Sequence, residues 1–164
     1  MEEHRGFLAS LLVLAVLLSA CAGVPVPHQQ ETTIAVWDLE NLSPEDAARP
    51  DLGELLAAKI IEVMKEKGRY QVVERDRILL AMEELNLGTT SLVDESTRLR
   101  LGQMVGANMM VFGGYMVIAD QMRLDLRLVE VETGKILKTA QRVSAATDVA
   151  QWLSAAEEAA KELI

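Results

Sequence analysis

The segment Met109-Met110-Val111-Phe112-Gly113-Gly114-Tyr115-Met116-Val117-Ile118 carries neither a charge nor a polar–apolar alternation. A strand with one wet face alternates, so this run predicts a central strand covered on both faces. Gly113 and Gly114 point to a bulge or a close approach within it.

The flanking sequence supplies what would cover such a strand. Thr33 to Leu39 reads as a short, largely buried strand that ends in polar Glu40-Asn41. After a loop from Ser43 to Pro50, Asp51 and Glu54 have capping-box spacing and predict a helix start, with Asp in place of Ser or Thr. Leu52, Leu55, Leu56, Ile60, Val63 and Met64 recur on one helical face, Lys65 and Lys67 suit the negative end of the helix dipole, and Gly68 is placed to stop the helix. Tyr70 to Glu74 follows as a strand, which completes a strand–helix–strand unit. Asp76 is then placed to cap a helix carrying Ile78, Leu79, Met82 and Leu85, ended by Gly88. The polar link Thr89-Thr90-Ser91 leads to a third helix over Glu95 to Val105, closed by Gly106.

Beyond the apolar strand, Asp120 and Gln121 turn the chain, and Leu124, Leu126 and Leu128 alternate with Asp125 and Arg127. The apolar phase shifts to Val129 and Val131, which predicts a bulge, and Glu132 to Lys135 forms a hairpin turn into Ile136-Leu137. Asp148 caps a last helix with Val149, Trp152, Leu153, Ala156, Ala160 and Leu163 on one side. The expected fold is a single α/β domain over residues 33–164, with a mixed sheet of about five strands, a C-terminal antiparallel meander and about four helices.

Ahead of this domain, Phe7 to Ala20 is an apolar run that ends in Leu18-Ser19-Ala20-Cys21. Its length falls short of the ~20 residues that cross a bilayer but suits a secretory leader, although Glu2 and Glu3 stand against Arg5 where a positive start is usual. The four residues resemble a bacterial lipobox. That resemblance implies cleavage between Ala20 and Cys21, a diacylglycerol group on the Cys21 thiol and an acylated new amino terminus, with palmitate-type chains as the membrane attachment. Residues 1–20 are then a signal peptide, and residues 21–32 a lipidated Cys and a tether. Pro25 and Pro27 disfavour helix in that tether, which reaches about 30 Å when extended. Ala22 and Gly23 after the Cys, with no Asp, are consistent with sorting to the outer membrane of a diderm cell, facing the periplasm.

Charge and residue counts narrow the function. The formal charge is −9, or −8 once Glu2, Glu3 and Arg5 are removed, and the cations are dispersed among the carboxylates. Nucleic acid is therefore an unsuitable partner, and anionic headgroups would repel the domain. Cys21 is the only Cys, so no internal disulfide can form. Of the two His, His4 leaves with the leader and His28 lies in the tether. That removes His-dependent nucleophile activation and ordinary zinc sites, so neither a metal nor another cofactor is expected. Carboxylate chemistry is the one enzymatic route left. Glu74-Arg75-Asp76 reads better as a charged strand end with a helix cap, while Gly102, Gly106 and Thr133-Gly134-Lys135 lack the strand–turn–helix context of a phosphate loop. Trp37 suits a core position and a contact surface equally.

Several segments, in order, resemble the CsgG-like family, named after the curli production assembly/transport component. They are Ile34-Ala35-Val36 with Asn41, Val73-Glu74-Arg75 opening Ile78 to Leu87, Gly106-Ala107-Asn108 before Gly113, and Leu126 to Val131 with Thr133-Gly134-Lys135-Ile136. Asn108 stands where the family more usually has an acidic residue. The resemblance implies a non-enzymatic outer-membrane lipoprotein that assembles, scaffolds or regulates an envelope complex, with envelope proteins as partners and self-association open. A subunit of a curli-type secretion pore is the alternative, and a carboxylate-dependent envelope hydrolase ranks last. In channel-forming relatives, membrane hairpins are inserted beside the meander strands, whereas here Ile118 reaches Arg123 through four residues only.

Cys21→Ser is expected to abolish incorporation of a labelled fatty acid and to move the domain into the soluble fraction. Label retained by the variant would refute the assignment of Cys21.

Overall fold

In a computed structural model, the described residues are 31–44, 51–87, 94–119, 121–145 and 148–164. The leader, Cys21, the tether up to residue 30, Gly88, the Thr89–Ser91 link and Asp120 lie outside them. Ten elements follow one another: β1 (Thr32–Val36), β2 (Glu40–Asn41), α1 (Leu52–Glu66), β3 (Tyr70–Val72), α2 (Arg75–Glu84), α3 (Glu95–Met104), β4 (Met109–Ile118), β5 (Gln121–Glu130), β6 (Ile136–Ala145) and α4 (Val149–Leu163).

They form one mixed sheet in the order β3-β1-β4-β5-β6, in which β2 also pairs with β4. β1 runs parallel to β3 and to the first residues of β4, where Ile34 faces Met109 and Val36 faces Val111. Where β1 stops, β2 takes its place along β4, pairing Glu40 with Gly114 and Asn41 with Tyr115. β4, β5 and β6 form the antiparallel meander, with a register shift at Leu128/Val129, the position where the apolar phase slips in the sequence.

Alternate residues of β1 and β4 point into two separate cores. On one face Ile34, Val36, Val111 and Tyr115, with Leu124, Leu126 and Leu128 of β5, pack against α1 and α4 through Leu56, Ile60, Met64, Trp152 and Leu163. On the other, Ala35, Trp37, Met110, Phe112 and Val129 pack against α2 and α3 through Ile78, Met82, Leu101 and Val105. Each large apolar side chain fully buried in this way contributes about 1.5–3 kcal/mol.

Local chemistry departs from the sequence reading at several points. Leu55 is exposed, because α1 lies with Leu52, Leu56, Ile60 and Val63 inward and Leu55 beyond the edge of that stripe. Asp51 already has helical backbone angles and makes no side-chain cap, since an oxygen cap requires an extended Ncap residue. α2 begins at Arg75, which places Asp76 within its first turn, where it faces the positive end of the dipole instead of capping. The extended residue before that helix is Glu74, whose carboxylate goes to Lys65 at 2.9 Å. α2 ends ahead of Gly88, because Asn86 adopts φ 53° and the Leu87 amide bonds the Met82 carbonyl at 3.0 Å. β1 starts one residue and ends three residues earlier than expected, Tyr70 to Glu74 is a strand only as far as Val72, and Gln121 already belongs to β5.

α3 and α4 are capped by side chains. Asp148 accepts from the Ala150 amide at 2.9 Å, in line with the sequence. Asp94 accepts from the Thr97 amide at 3.1 Å and from the hydroxyls of Ser96 and Thr97 at 2.5 and 2.9 Å. The Ser96 hydroxyl, then the Thr97 amide and hydroxyl, hold its carboxyl at about 2, below the ordinary 3.8. A carboxyl lowered on folding stabilises above its unfolded pKa and loses that contribution as pH falls through the folded one. Asp94→Ala is therefore expected to be less stable than wild type at neutral pH, and the gap should close between about pH 4 and about pH 2. Urea unfolding across that range checks it.

Candidate functional site

Cys21 and Ala20, the expected lipid-attachment and cleavage positions, lie outside the described residues. The remaining singled-out residues fall into three places. At the carboxyl end of β1, Arg75 donates to both Asp38 oxygens at 3.2 and 2.8 Å and reaches Glu54 at 3.3 Å. Glu74 and Arg75 are thus part of an ion-pair lattice that ties α2 to the end of β1 and to α1, and the hydrogen bonds that Arg75 donates to Asp38 raise its pKa further. Among the described residues, no three His, Cys, Asp or Glu side chains come together in a metal-binding group.

Trp37 is buried in the second core, which decides its role against a contact surface. The Arg98 guanidinium of α3 lies over its ring, 5.7 Å from the centroid, and pairs with Glu40 of β2. Arg98 itself is only 7% exposed. A buried cation needs such partners, and here they lock the segment between β1 and β2 onto α3. The glycines serve packing: a Cβ at Gly102 would collide with the Met110 side chain, and one at Gly113 with the Asp125 carbonyl. Gly134 adopts φ 70° in the hairpin turn, where Thr133 donates to Glu130.

Asn108 has a structural duty that its sequence context does not announce. Its side-chain carbonyl accepts from the Thr33 amide at 2.9 Å, its amide donates to the Thr33 carbonyl at 2.8 Å, and its carbonyl accepts from Val131 at 2.9 Å. It pins the start of β1 to the end of β5. An acid there would keep the acceptor, so the departure from the family's usual residue changes charge and not the bond pattern.

The third place is open. α2 and α3 cover the Met110–Phe112 end of their sheet face, while the far end exposes Ile118 and Val143, with Leu42 beside them over Gly114. A shallow hollow of about 590 Å³ lies there, lined by Met116, Ile118, Ala119, Gln121, Arg123 and Val143. Arg123 is held by Asp125 on the same face at 2.7 and 2.9 Å. Mostly apolar walls with one ion pair at the rim can seat apolar side chains of another molecule, and offer no nucleophile or proton-transfer pair.

The sequence matches the family described as "Curli production assembly/transport component CsgG" over residues 20–119. No curated protein matches the chain. Among solved structures, the LpoB C-terminal domain from Salmonella enterica is 19% identical with a TM-score of 0.57, over 79% of this chain and 90% of that one. Lipoprotein GNA1162 from Neisseria meningitidis is 16% identical with a TM-score of 0.55, over 70% and 80%. The PelC dodecamer from Paraburkholderia phytofirmans is 14% identical with a TM-score of 0.51, over 80% and 86%. At these identities the likeness is one of fold.

Arg98→Ala should cost about 2 kcal/mol, between the ranges for exposed and buried pairs, by leaving Glu40 unpaired and the Trp37 ring uncovered. Arg98→Lys should recover only part, because an ammonium cannot both lie flat on the ring and meet the carboxylate. Chemical denaturation of the two variants checks the order.

Proposed function

This chain belongs to the CsgG family, and we propose that it is a non-enzymatic envelope lipoprotein, anchored through Cys21 in the outer membrane and facing the periplasm. There it acts as an assembly, scaffold or regulatory module of an envelope complex, of the kind that serves secretion, flagella or cell-wall synthesis. In this reading residues 1–20 are removed as a signal peptide, residues 21–32 carry the lipid and the tether, and residues 33–164 are the working domain. The observation that carries it is the extent of the family match, which starts beside Cys21 and runs through the whole of β4. The fold shared with a protein titled a lipoprotein supports the anchor, and the fold shared with a dodecamer supports self-association. Two or more acyl chains make such anchoring stable without any attraction between the acidic domain and the headgroups.

A pore subunit is the competing reading, and the meander speaks against it. A membrane hairpin needs two strands of ~9–11 residues each. Residues 119–120 alone connect β4 to β5, and residues 146–147 connect β6 to the Asp148 cap. β4 has the length to span, but its side chains fill both cores, so withdrawing it would strip α1, α4, α2 and α3 of their common support.

Planar-bilayer recordings on the purified full-length protein test the distinction. No unitary conductance above that of detergent alone is expected, and reproducible steps would overturn the module in favour of the pore.

A further inference from the structure

Oxidation is the modification that the described methionines invite, since Cys21 lies outside the described residues and the thioether is the soft, polarisable side chain that remains. Most of these sulfurs are closed off. Met64, Met82, Met110 and Met122 lie in the two cores with at most 3% of their surface exposed, and Met109 packs against the first core. Met104 and Met116 differ, because each lines an opening to solvent. Met104 is 43% exposed, in a hollow of about 230 Å³ shared with Leu80 and Val105. Met116 is half-buried in the wall of the larger hollow, with Ile118, Ala119 and Val143.

What sets Met116 apart is the residue opposite. In the β4–β5 register it faces Arg123, and both line the hollow. Directly opposed residues on one face of an antiparallel pair have Cβ atoms ~4.5–5.5 Å apart, so a long unbranched side chain and a guanidinium are within reach of each other. Arg123 donates through Nε and Nη2 to Asp125 at 2.7 and 2.9 Å. That pair leaves its Nη1 donors for another acceptor. A thioether sulfur accepts only weakly, whereas a sulfoxide is polar and presents an oxygen. Met104 has no strand residue opposite it, and the arginine in its hollow, Arg77, donates to the Val105 carbonyl at 3.3 Å. It serves as the measure of exposure alone.

We propose that Met116 is a redox-modification site at which hypochlorous acid converts the thioether to a sulfoxide whose oxygen accepts from Arg123, turning the apolar hollow into a polar one. The step balances. The sulfur gives up two electrons and takes the oxygen, the chlorine leaves as chloride, and the proton goes to solvent. Reversal by a methionine sulfoxide reductase consumes a dithiol, which leaves as a disulfide with one water. The modification adds no charge, so the Arg123–Asp125 pair stays balanced while the wall formed by Met116, Ile118 and Val143 is interrupted by a dipole. A surface that seats apolar side chains is weakened by such a change. That consequence rests on the reading of the domain as a protein-binding module; the oxidation itself does not.

The test uses the full-length protein in detergent micelles, titrated with hypochlorite and followed by peptide mass mapping. Sulfoxide should form at Met104 and Met116 at least about tenfold sooner than at Met64, Met82, Met110 and Met122. In a Met104→Leu background, where Met116 is the remaining open sulfur, oxidation should shift the Nε–H proton resonance of Arg123, and a methionine sulfoxide reductase with dithiothreitol should restore it. Met116→Leu should remove the response to oxidant. Met116→Gln, which carries an amide oxygen near the place of the sulfoxide oxygen, should shift the same resonance without oxidant. Oxidation of Met116 no faster than of Met110 would overturn the proposal. So would a Met116 sulfoxide that leaves the Arg123 resonance in place, or one that forms only as the protein unfolds. None of these readouts needs a partner protein, so their failure strikes the modification site and leaves the module standing.

Discussion

The fold depends on one strand being buried on both faces along most of its length. β4 holds β1 and β2 on one side and β5 on the other, and its alternate side chains anchor two cores that share no residue. Burial on both faces explains why the segment has no charge, and it explains the paired glycines. At Gly113 a side chain would collide with the Asp125 carbonyl and Leu126, so the β4–β5 pairing fixes that position. At Gly114 it would meet Leu42 and the Glu40 carbonyl, so the second glycine is what lets β2 lie against the strand. The close approach foreseen from Gly113-Gly114 is therefore real, while the bulge lies elsewhere, between β5 and β6.

A second constraint follows from β2. Because β1 stops at Val36, the chain leaves the sheet for Trp37 to Leu39 and rejoins it at Glu40. Three interactions hold this detour. The Trp37 amide bonds Val111, the Leu39 amide reaches Gly53, and Arg98 clamps Glu40 over the Trp37 ring. Gly53 belongs to the same device, since a Cβ there would overlap the Leu39 carbonyl. Beyond β2, the Ser43 hydroxyl accepts from the Val117 amide at 2.9 Å and carries the pairing to the end of β4. A buried arginine and a helix glycine far apart in sequence thus serve one short segment.

Elements with strong periodicity were legible without the structure. The apolar run of β4, the alternation of β5, the phase slip at Leu128/Val129 and the stripe of α4 from Trp152 onward transfer directly, because each is set by burial of neighbouring positions, while Val149 in the first turn of α4 is exposed. What escaped was set by partners distant in sequence. Glu40-Asn41 looks like a polar loop and becomes a strand only because β4 is there to pair with it. Asp51 and Asp76 have the composition of caps, but where a helix starts is decided by backbone angles that the residue types do not fix. Asp94, which does cap, lies two residues before a Ser-Thr pair that gives its carboxylate three donors. The candidate site shows the same division. The expectation at Cys21 rests on four consecutive residues outside the described ones, whereas the open patch gathers Met116 and Ile118 of β4, Val143 of β6 and Leu42 just past β2, and no local pattern marks it.

The sheet also gives the domain two unlike ends. The chain enters at Thr32, where Asn108 ties β1 to the beginning of β4 and to the end of β5. β4 then runs for ten residues, roughly 33 Å at ~3.3 Å per residue, before it reaches Ile118. Ala145 pairs with Gln121 at that far end, so Val143 and the hollow lie there too. The apolar hollow therefore lies at the end of β4 opposite to the one where β1 begins. α1 mixes Glu54, Glu62 and Glu66 with Lys59 and Lys65, whereas α4 carries Glu157, Glu158 and Glu162 against Lys161 alone. Among the described residues, β6 from Ile136 to Ala145 is by far the longer of the two outermost strands in that order, against three residues in β3, so the two sides of the sheet are as unlike as its two ends.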